Sequence, residues 1–366
     1  MKKILIFGMS STVGGVENFI LQLYRKIDKS NLQIDFVVTE GLNGYYKDVL
    51  ESYNAKIYVI PSIKKHYFKC IKEIKKIINK ENYDVMHVNF CSAQMFLYAY
   101  YFKKFAKKDL KIITHSHSSG ETDIIRKLLH YLIRPLIIKK TDYFISCSKV
   151  AGEWMFTKRI ANSKKLIIIK NAIDINRFKY DKNKRAIFRK KYNLNECLVI
   201  GHIGRFEKVK NHEFMIMLFK EYLTRNKNTR LVLVGEGSLK NDVKKKVKEF
   251  GIEKYVVFIN ETDKVDLIYN GIDVFILPSL FEGLPIVGIE AQVAALPCVF
   301  SNNITKELDI SNNCYFEELN VSKWINCIDS IANKKSQRIT NKEKIKESGY
   351  DIDTEIEKIR KLYMEA

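Results

Sequence analysis

Short apolar runs alternate with longer charged segments along the chain. In the first half these runs are KILIFG, IDFVVT, KIYVIP, DVMHVN, KIITHS, DYFISCS and LIIIKN. Near-continuous apolar strands separated by helices are typical of a parallel sheet that helices cover on both faces. The series restarts at residue 197 with CLVIGHIG, RLVLVGEG, YVVFIN, DVFILPS and LPCVFSN. The pattern therefore predicts an α/β chain of two doubly wound, Rossmann-like domains.

The chain is long enough for two domains. Its 366 residues exceed the roughly 100 to 200 residues of an ordinary domain. Residues 171–196 interrupt the apolar rhythm, and we place the boundary near residue 185. The predicted domains are residues 1–185 and 186–350, followed by a helix over 351–366 that can pack back on the first domain. One face of this helix comprises Ile352, Ile356, Ile359 and Tyr363.

Two domains of this kind are expected to face each other across a cleft. In open parallel sheets, ligands bind beyond the carboxyl ends of the strands, where the loops collect. The residues that follow each strand are therefore the candidates for function.

Positive charge is concentrated in the first half of the chain. Residues 1–185 contain 35 Lys and Arg against 16 Asp and Glu, whereas residues 186–366 contain 28 against 26. Such a basic domain can attract nucleic acid, an anionic membrane surface or a phosphorylated substrate. A solvated lysine-rich surface is the alternative interpretation.

Cysteine usage and hydropathy indicate a cytoplasmic protein. The seven cysteines are scattered without a CxxC pair, which fits neither a zinc site nor a disulfide framework. The N-terminal stretch MKKILIFGMSSTVGGVE reads as a first β-strand, because its apolar part is too short for a signal peptide. No run of 18 uncharged apolar residues is present, so a transmembrane helix is not expected.

Two loops of the first domain contain candidate binding residues. Gly14 and Gly15 follow the first strand and permit close backbone approach, and the helix starting near Val16 offers free N–H groups to an anion. The spacing is not GxGxxG, which weakens a dinucleotide interpretation. His115 and His117 follow the fifth strand without a third residue spaced to complete a metal site. For each histidine, a structural role stands beside a role in the cleft.

The second domain opens with GHIGRFEKVKN, in which Arg205 and Lys210 lie five positions apart. A guanidinium fork and an ammonium group in one strand-to-helix loop are able to bind two oxygens of a diphosphate. Lys208 beside them shows that surface charge is an alternative for any one of these cations. Gly235 and Gly237 end the next strand and form a weak nucleotide signal, through backbone contact with a base.

Two acids follow the strand DVFILPS, in the stretch EGLPIVGIE. Glu282 lies in the loop, and Glu290 lies about a turn and a half inside the following helix, so that both can face one pocket. An acid in an apolar helix is costly to bury without a partner, and sugar hydroxyls are suitable partners. A glutamate on a solvated helix face is the alternative.

These residues together resemble a known family. EGLPIVGIE matches the E-x7-E motif, GRFEKVKN the Arg/Lys motif for the donor phosphates, and GGVE, THSH and NAIDINRF the remaining landmarks. In this order and at these strand ends, the sequence resembles the retaining glycosyltransferases of family 4, which have the two-domain GT-B fold. It is similar in particular to those of capsular and exopolysaccharide biosynthesis.

The resemblance implies roles for the candidate residues of the second domain. Glu290 would bind the ribose hydroxyls of a nucleotide sugar. Glu282 and the backbone N–H groups of Gly283 and Leu284 would contact the transferred sugar. The cations Arg205 and Lys210 would neutralise the departing diphosphate.

In the first domain, the resemblance implies that Gly15 approaches the diphosphate. The motif match for a sugar-contacting histidine falls on His117, with His115 as the alternative one strand step away.

The implied function is transfer of a sugar, from a UDP-sugar on family grounds, to a lipid-linked saccharide or other glycan acceptor in cell-surface polysaccharide biosynthesis. We expect no obligatory metal or other cofactor, because the D-x-D pair of Asp351 and Asp353 does not follow a sheet strand. Basic amphipathic stretches over residues 61–80 and 124–140 predict peripheral contact with an anionic membrane at its inner face. Ordinary packing against the sheet would also explain their apolar stripes.

Two other functions remain open from the sequence. A nucleotide-sugar epimerase or hydrolase on the same architecture would use the donor site without an acceptor. A nucleic-acid-binding protein would use the basic half, but no recognition helix, zinc spacing or aromatic-basic RNA motif is present. We therefore expect no nucleic-acid partner.

Overall fold

The computed structural model divides into two compact units. It describes residues 1–10, 15–42, 44–90, 95–118, 120, 123–334 and 338–366, without the side chains of Tyr45 and Phe90. One unit comprises Met1–Ala172 and Ile352–Ala366, and the other comprises Ile173–Asp351.

The described residues of the first unit form a parallel sheet of seven strands in the order β3-β2-β1-β4-β5-β6-β7. The strands are β1 (Lys2–Phe7), β2 (Leu32–Thr39), β3 (Ile57–Ile60), β4 (Val85–Phe90), β5 (Lys111–Ser116), β6 (Tyr143–Ser146) and β7 (Leu166–Ile168). The helices between them are α1 (Gly15–Lys26), α2 (Gly44–Ser52), α3 (Tyr67–Lys80), α4 (Phe96–Phe105), α5 (Ile124–Lys140), α6 (Lys149–Met155) and α7 (Lys158–Ala161). Each strand overlaps one of the seven apolar runs of the sequence.

Burial on both faces explains why these strands are apolar throughout. In β1, Ile4 and Ile6 belong to one hydrophobic cluster, whereas Leu5 and Phe7 belong to another on the opposite face. Successive side chains of a strand point to opposite faces, so a strand between two helix layers has no solvated side.

The second unit contains a parallel sheet of six strands in the order β10-β9-β8-β11-β12-β13. These strands are β8 (Leu198–Ile203), β9 (Thr229–Val234), β10 (Val256–Ile259), β11 (Val274–Leu277), β12 (Cys298–Ser301) and β13 (Cys314–Glu317). Its helices are α8 (Ile175–Phe178), α9 (Lys182–Lys191), α10 (His212–Arg225), α11 (Lys240–Glu249), α12 (Val265–Gly271), α13 (Ile286–Val293), α14 (Val321–Asn333) and α15 (Lys342–Glu347). The sequence pattern missed β13, because CYFE is short and only partly buried.

The boundary between the units lies at residue 172/173, so the predicted position near residue 185 was wrong. The segment that interrupts the apolar rhythm folds as α8 and α9, and its few apolar side chains are buried in the second unit. Ile173, Ile175, Phe178 and Phe188 join the same hydrophobic cluster as β8 and β11. This charged segment has the composition of a linker, but isolated apolar residues anchor it in the second unit.

The C-terminal helix α16 (Ile352–Glu365) belongs to the first unit. Its predicted face is confirmed, since Ile352, Ile356, Ile359 and Tyr363 are buried in the cluster that contains β1 and α1. Glu355 on the same helix is buried and accepts a hydrogen bond from the backbone N–H of Lys170 at 3.0 Å.

Candidate functional site

The chain order of each sheet reverses at one position, which places particular loops side by side. In the first unit the reversal lies between β1 and β4, and in the second it lies between β8 and β11. Ligands of open parallel sheets bind at such switch points, beyond the carboxyl ends of the strands. The loop of Arg205 and Lys210 follows β8, and the loop of Glu282 follows β11.

Lys210 and Glu282 form an ion pair between these two loops. The Lys210 ammonium donates to Glu282 Oε1, and the two side chains are only 16% and 17% exposed. Glu282 Oε1 also accepts from the Ser279 hydroxyl at 3.0 Å. The loop backbones are joined as well, since Leu280 N–H donates to Val209 O at 2.8 Å. The sequence predicted both residues but not their contact.

Arg205 lies on the same loop but points to solvent. Its side chain is 76% exposed, and its ion-pair partner is Glu207 at 3.2 Å. Within the described part of the chain it makes no ion pair with Glu282 or Glu290. Arg205 is thus held weakly, and its guanidinium is accessible to an anion.

Glu290 is partly buried on α13 and has a partner within the protein. The Tyr269 hydroxyl on α12 donates to Glu290 Oε2 at 2.8 Å. Burial raises the pKa of Glu290 to about 7, against the lowering effects of the Tyr269 hydrogen bond and of the Arg177 charge. The buried acid therefore already has a partner within the protein, which is the phenol of Tyr269. Glu282 and Glu290 are bound by different residues.

The remaining predicted residues of the second unit differ in their burial and in the atoms around them. Gly283 is exposed, and a Cβ there would meet nothing within 4 Å, whereas Leu284 packs against the core. Gly235 has a φ of +140°, and a Cβ would lie 2.2 Å from the backbone oxygen of Gly204. The close approach of the loops after β8 and β9 therefore requires glycine at residue 235.

In the first unit, Gly15 begins α1, while Gly14 lies outside the described residues. The first turn of α1 contains Glu17, which is buried and accepts from the Ser10 hydroxyl at 2.6 Å. The sequence predicts that a diphosphate approaches the N-terminal end of α1. This end already contains the carboxylate of Glu17.

The structure distinguishes the two candidate histidines. His115 is fully buried, whereas His117 is partly exposed and therefore is the one able to touch a bound molecule. His117 Nε2 lies 2.9 Å from Asn89 Oδ1, and Nδ1 lies 3.3 Å from Asn171 Oδ1. Burial lowers the pKa of His117 to about 4, so the ring is neutral at pH 7.

Several residues that contact the candidate residues within each unit were not selected from the sequence. Asn89 ends the apolar run of β4, and a polar residue at a strand end was a usable signal. Asn171 and Arg177 lie in NAIDINRF, but no role was assigned to them within that motif. Tyr269 had no local signal, because its contact with Glu290 depends on the packing of α12 against α13.

No group of three or more His, Cys, Asp or Glu side chains within the described residues is arranged to hold a metal ion. Asp353 of the D-x-D pair binds Lys26 at 2.8 Å.

Two family models match successive parts of the chain. Residues 13–177 match Glycosyltransferase Family 4, and residues 184–342 match Glycosyl transferases group 1. EpsF of Bacillus subtilis, named as a glycosyltransferase, is 27% identical, and the match covers 96% of this chain and 93% of EpsF. An Escherichia coli UDP-Gal:alpha-D-GlcNAc-diphosphoundecaprenol alpha-1,3-galactosyltransferase is 24% identical, with 96% and 94% of the two chains covered.

Solved structures show the same fold at low sequence identity. HepE of Anabaena, in complex with UDP and glucose, is 16% identical with a TM-score of 0.78 over 100% of both chains. A glycosyltransferase from Rickettsia africae is 17% identical with a TM-score of 0.80, covering 100% of this chain and 98% of that one. The chain belongs to the GT-B glycosyltransferases, with an N-terminal part of the Glycosyltransferase Family 4 type and a C-terminal part of the Glycosyl transferases group 1 type.

Proposed function

We propose that this glycosyltransferase moves a sugar from a UDP-sugar, with retention of anomeric configuration, to a lipid-linked saccharide or other glycan acceptor in cell-surface polysaccharide biosynthesis. The observation on which this mainly rests is the largely buried pair of Lys210 and Glu282 at the switch point of the second unit, with the accessible Arg205 on the same loop as Lys210. Relatives named for polysaccharide synthesis, including CapM of Staphylococcus aureus, support the choice of pathway.

In this proposal, the cations act on the leaving group. Departure of a nucleoside diphosphate builds negative charge on its phosphate oxygens, and preorganised cations stabilise that charge in the transition state. Lys210 is preorganised, because Glu282 and the loop packing hold it. Arg205 supplies the second charge after a small movement in solvent. These two cations make a divalent metal unnecessary in the proposed reaction.

Glu282 and Glu290 then orient the donor. Glu290 Oε2 is bound by Tyr269, while Oε1 makes no hydrogen bond to a described residue and is available for ribose hydroxyls. In this proposal, Glu282 and the exposed backbone at Gly283 bind the hydroxyls of the transferred sugar. In a front-face reaction, the leaving phosphate itself takes the proton of the acceptor hydroxyl as the new glycosidic bond forms.

The exposed face of α5 supports a location at the membrane, where a lipid-linked acceptor would be found. Its residues Ile124, Ile125, Leu128 and Leu132 are exposed by 75%, 71%, 60% and 77%. Basic residues interleave with and follow them, including Arg126, Lys127, Arg134, Lys139 and Lys140. An exposed apolar face with flanking cations is typical of a helix that lies on an anionic bilayer. We therefore propose peripheral attachment through α5 at the inner face of the membrane.

The other basic stretch supports this attachment less. In α3, the apolar residues Cys70, Ile74, Ile77 and Ile78 are buried in the core of the first unit. Packing against the sheet therefore explains the apolar stripe of α3. Among the helices of the described residues, none has the length and apolar character needed to cross a bilayer.

A donor panel followed by product analysis tests the proposed function. We expect UDP-sugars to raise the melting temperature more than GDP- or ADP-sugars do. Incubation with a lipid-pyrophosphate-linked saccharide should then give a product whose anomeric configuration, read by NMR, matches that of the donor. An inverted product would refute retention, and donor consumption without acceptor would favour the epimerase or hydrolase instead.

A further inference from the structure

Three histidine rings lie in a row in the first unit, each in contact with the next. His87 lies on β4, His115 on the neighbouring β5, and His117 directly after β5. The rings of His87 and His115 are stacked with centroids 5.4 Å apart, and those of His115 and His117 are 4.0 Å apart. We call His87, His115 and His117 the histidine column. Phe19 of α1 packs against His115 and His117, with centroid distances of 5.2 and 5.3 Å.

Tyr363 of the C-terminal helix α16 contacts His87, which is the buried end of the histidine column. The hydroxyl of Tyr363 lies 2.5 Å from His87 Nδ1, and His87 Nε2 lies 3.3 Å from His115 Nδ1. Tyr363, His87 and His115 have no exposed surface. Burial lowers the pKa of His87 to about 3 and that of His115 well below its usual range, so both rings are neutral at pH 7.

Neutrality couples the proton positions along the column. A neutral imidazole has one N–H donor and one acceptor nitrogen. If the Tyr363 hydroxyl donates to His87 Nδ1, then His87 Nε2 carries the proton and donates to His115 Nδ1. If His87 donates to the phenol instead, His115 must donate to His87. One hydrogen bond from the C-terminal helix therefore selects the tautomers of two histidines.

The outer end of the column is His117, whose own proton is fixed separately. Asn89 donates through Nδ2 to the Phe7 carbonyl at 3.3 Å, so its Oδ1 is the acceptor for His117 Nε2–H at 2.9 Å. The position of the His117 ring thus depends on this hydrogen bond and on its contact with the His115 ring, to which it is tilted by 33°.

We propose that Tyr363 and His87 are positioning residues for His117, so that the C-terminal helix determines where the predicted sugar-contacting ring lies. This inference rests on the proposed function only in taking His117 to touch the donor sugar. Removing the phenol hydroxyl leaves His87 Nδ1 buried without a partner, which is unfavourable. We expect the His87 ring then to turn and recover a hydrogen bond, His115 to lose its fixed partner, and His117 to shift through its contact with the His115 ring.

Tyr363→Phe tests the proposal, with Tyr24→Phe as its matched control. Tyr24 is a buried phenol of the same hydrophobic cluster, but its hydroxyl donates to the Tyr53 carbonyl at 3.2 Å, away from the column. We expect Tyr363→Phe to lower kcat roughly tenfold with donor KM within about twofold of the wild type, because misplacement of a site residue acts mainly on the reacting geometry. Tyr24→Phe should leave both constants unchanged.

Histidine ring spectra provide a readout that needs no activity. Long-range ¹H–¹⁵N correlation reports the tautomer of each ring, and the chain has only seven histidines to assign. We expect Tyr363→Phe to change the signals of His87 and His115 and to move those of His117, while Tyr24→Phe moves none of them. Wild-type His117 signals in Tyr363→Phe would overturn the proposed column. Changed signals with wild-type kcat would overturn its link to the reaction.

A double variant tests the contact between His87 and His115. Tyr363→Phe/His87→Leu makes both partners of the phenol bond apolar but moves the buried unpaired nitrogen from His87 Nδ1 to His115 Nδ1, so its melting temperature should not exceed that of Tyr363→Phe. We expect kcat to stay low, because His115 lacks its partner. Full recovery of kcat without the His87–His115 contact would overturn the proposal. If the wild type itself transfers no sugar, the proposed function fails while the ring spectra still decide the column.

Discussion

Lys210 donates to the carboxylate of Glu282, although the two residues are 72 positions apart in the chain. The contact exists because β8 and β11 are neighbours in the second sheet, so that the loops after them meet. A cation expected to bind phosphate and an acid expected to bind sugar thus hold each other in place. A bound donor would have to share both, which makes the pair a sensitive point for mutation.

Lys210→Ala should lower both stability and activity. Glu282 would remain largely buried and, among the described residues, would keep only Ser279 as a partner, which costs about 2 kcal/mol of unfolding free energy. Loss of a preorganised charge at the leaving group should lower kcat about 10²- to 10³-fold. Urea unfolding and steady-state kinetics measure the two effects.

The matched control for this pair is Lys323→Ala, since Lys323 and Glu318 form an ion pair with side chains 52% and 65% exposed. Because this pair is solvent-exposed, the substitution should leave both stability and kcat essentially unchanged. In Lys210→Ala/Glu282→Gln, stability should recover while activity does not. Recovery of activity in this double variant would contradict the role of Lys210.

Arg205→Ala should separate activity from stability. The side chain is 76% exposed and pairs only with Glu207 among the described residues, so the unfolding free energy should change by no more than about 0.5 kcal/mol. Turnover of the nucleotide sugar should fall about 10²-fold or more. Arg225→Ala, which removes a half-exposed arginine paired with Asp329, should keep wild-type turnover. Equal turnover in the two variants would refute the assignment of Arg205.

Glu290 should make donor binding depend on pH. Its pKa is raised to about 7, so the carboxylate that accepts ribose hydroxyls forms as the pH rises from 6 to 8. We expect the donor KM to fall several-fold over this range in the wild type. Glu290→Gln should show a higher KM that is independent of pH. An identical pH profile in the variant would exclude Glu290 as the titrating group.

The buried histidines should make the fold sensitive to acid. Burial lowers the pKa of six histidines below the usual 6.5: to about 3 for His87, to about 4 for His117 and His212, well below it for His115 and His202, and also below it for His130. The unfolded chain therefore binds more protons than the folded chain below pH 6.5, and stability is lost as the pH falls. Each such histidine costs on the order of 1 kcal/mol per pH unit in this range.

The Glu290 carboxyl has the opposite effect on the pH dependence of stability. Its folded pKa of about 7 exceeds the unfolded value near 4.5, so its contribution is present at low pH and is lost as the pH rises through 7. One such proton is outweighed by those of the histidines. Urea midpoints at pH 7.5, 6.5 and 5.5 should therefore decrease in that order, and His212→Gln should reduce the slope. A constant midpoint would contradict the neutral, buried state of the histidines.

The exposed face of α5 should mediate vesicle binding. We expect the wild type to sediment with phosphatidylglycerol vesicles and salt to reverse this. Ile124→Ser/Leu128→Ser/Leu132→Ser should weaken binding at least several-fold without unfolding the protein, because these side chains are exposed. The control is Ile187→Ser on α9, which removes an apolar side chain that is 58% exposed in the second unit. Equal binding to neutral vesicles, or unchanged binding of the triple variant, would refute the attachment.

The sequence alone predicted twelve strands and the loops that contain the candidate residues of the second unit. A strand buried on both faces must be apolar along its length, so the runs from KILIFG to LPCVFSN marked twelve strands of the described structure. The parallel architecture then directed attention to the loops after β8 and β11, where Arg205, Lys210 and Glu282 are found. The short, half-buried β13 and the anchored segment at residues 173–185 lacked this pattern and were misjudged.

Only the tertiary structure decided which side chains meet. Three contacts join residues that are distant in the chain. They are Lys210 with Glu282 at 72 positions, Tyr269 with Glu290 at 21 and Tyr363 with His87 at 276. Local periodicity reports which face of an element is buried, but it contains no information on which elements are neighbours. That choice depends on the order of strands in the sheets and on the docking of α16, which the packing of the whole chain determines.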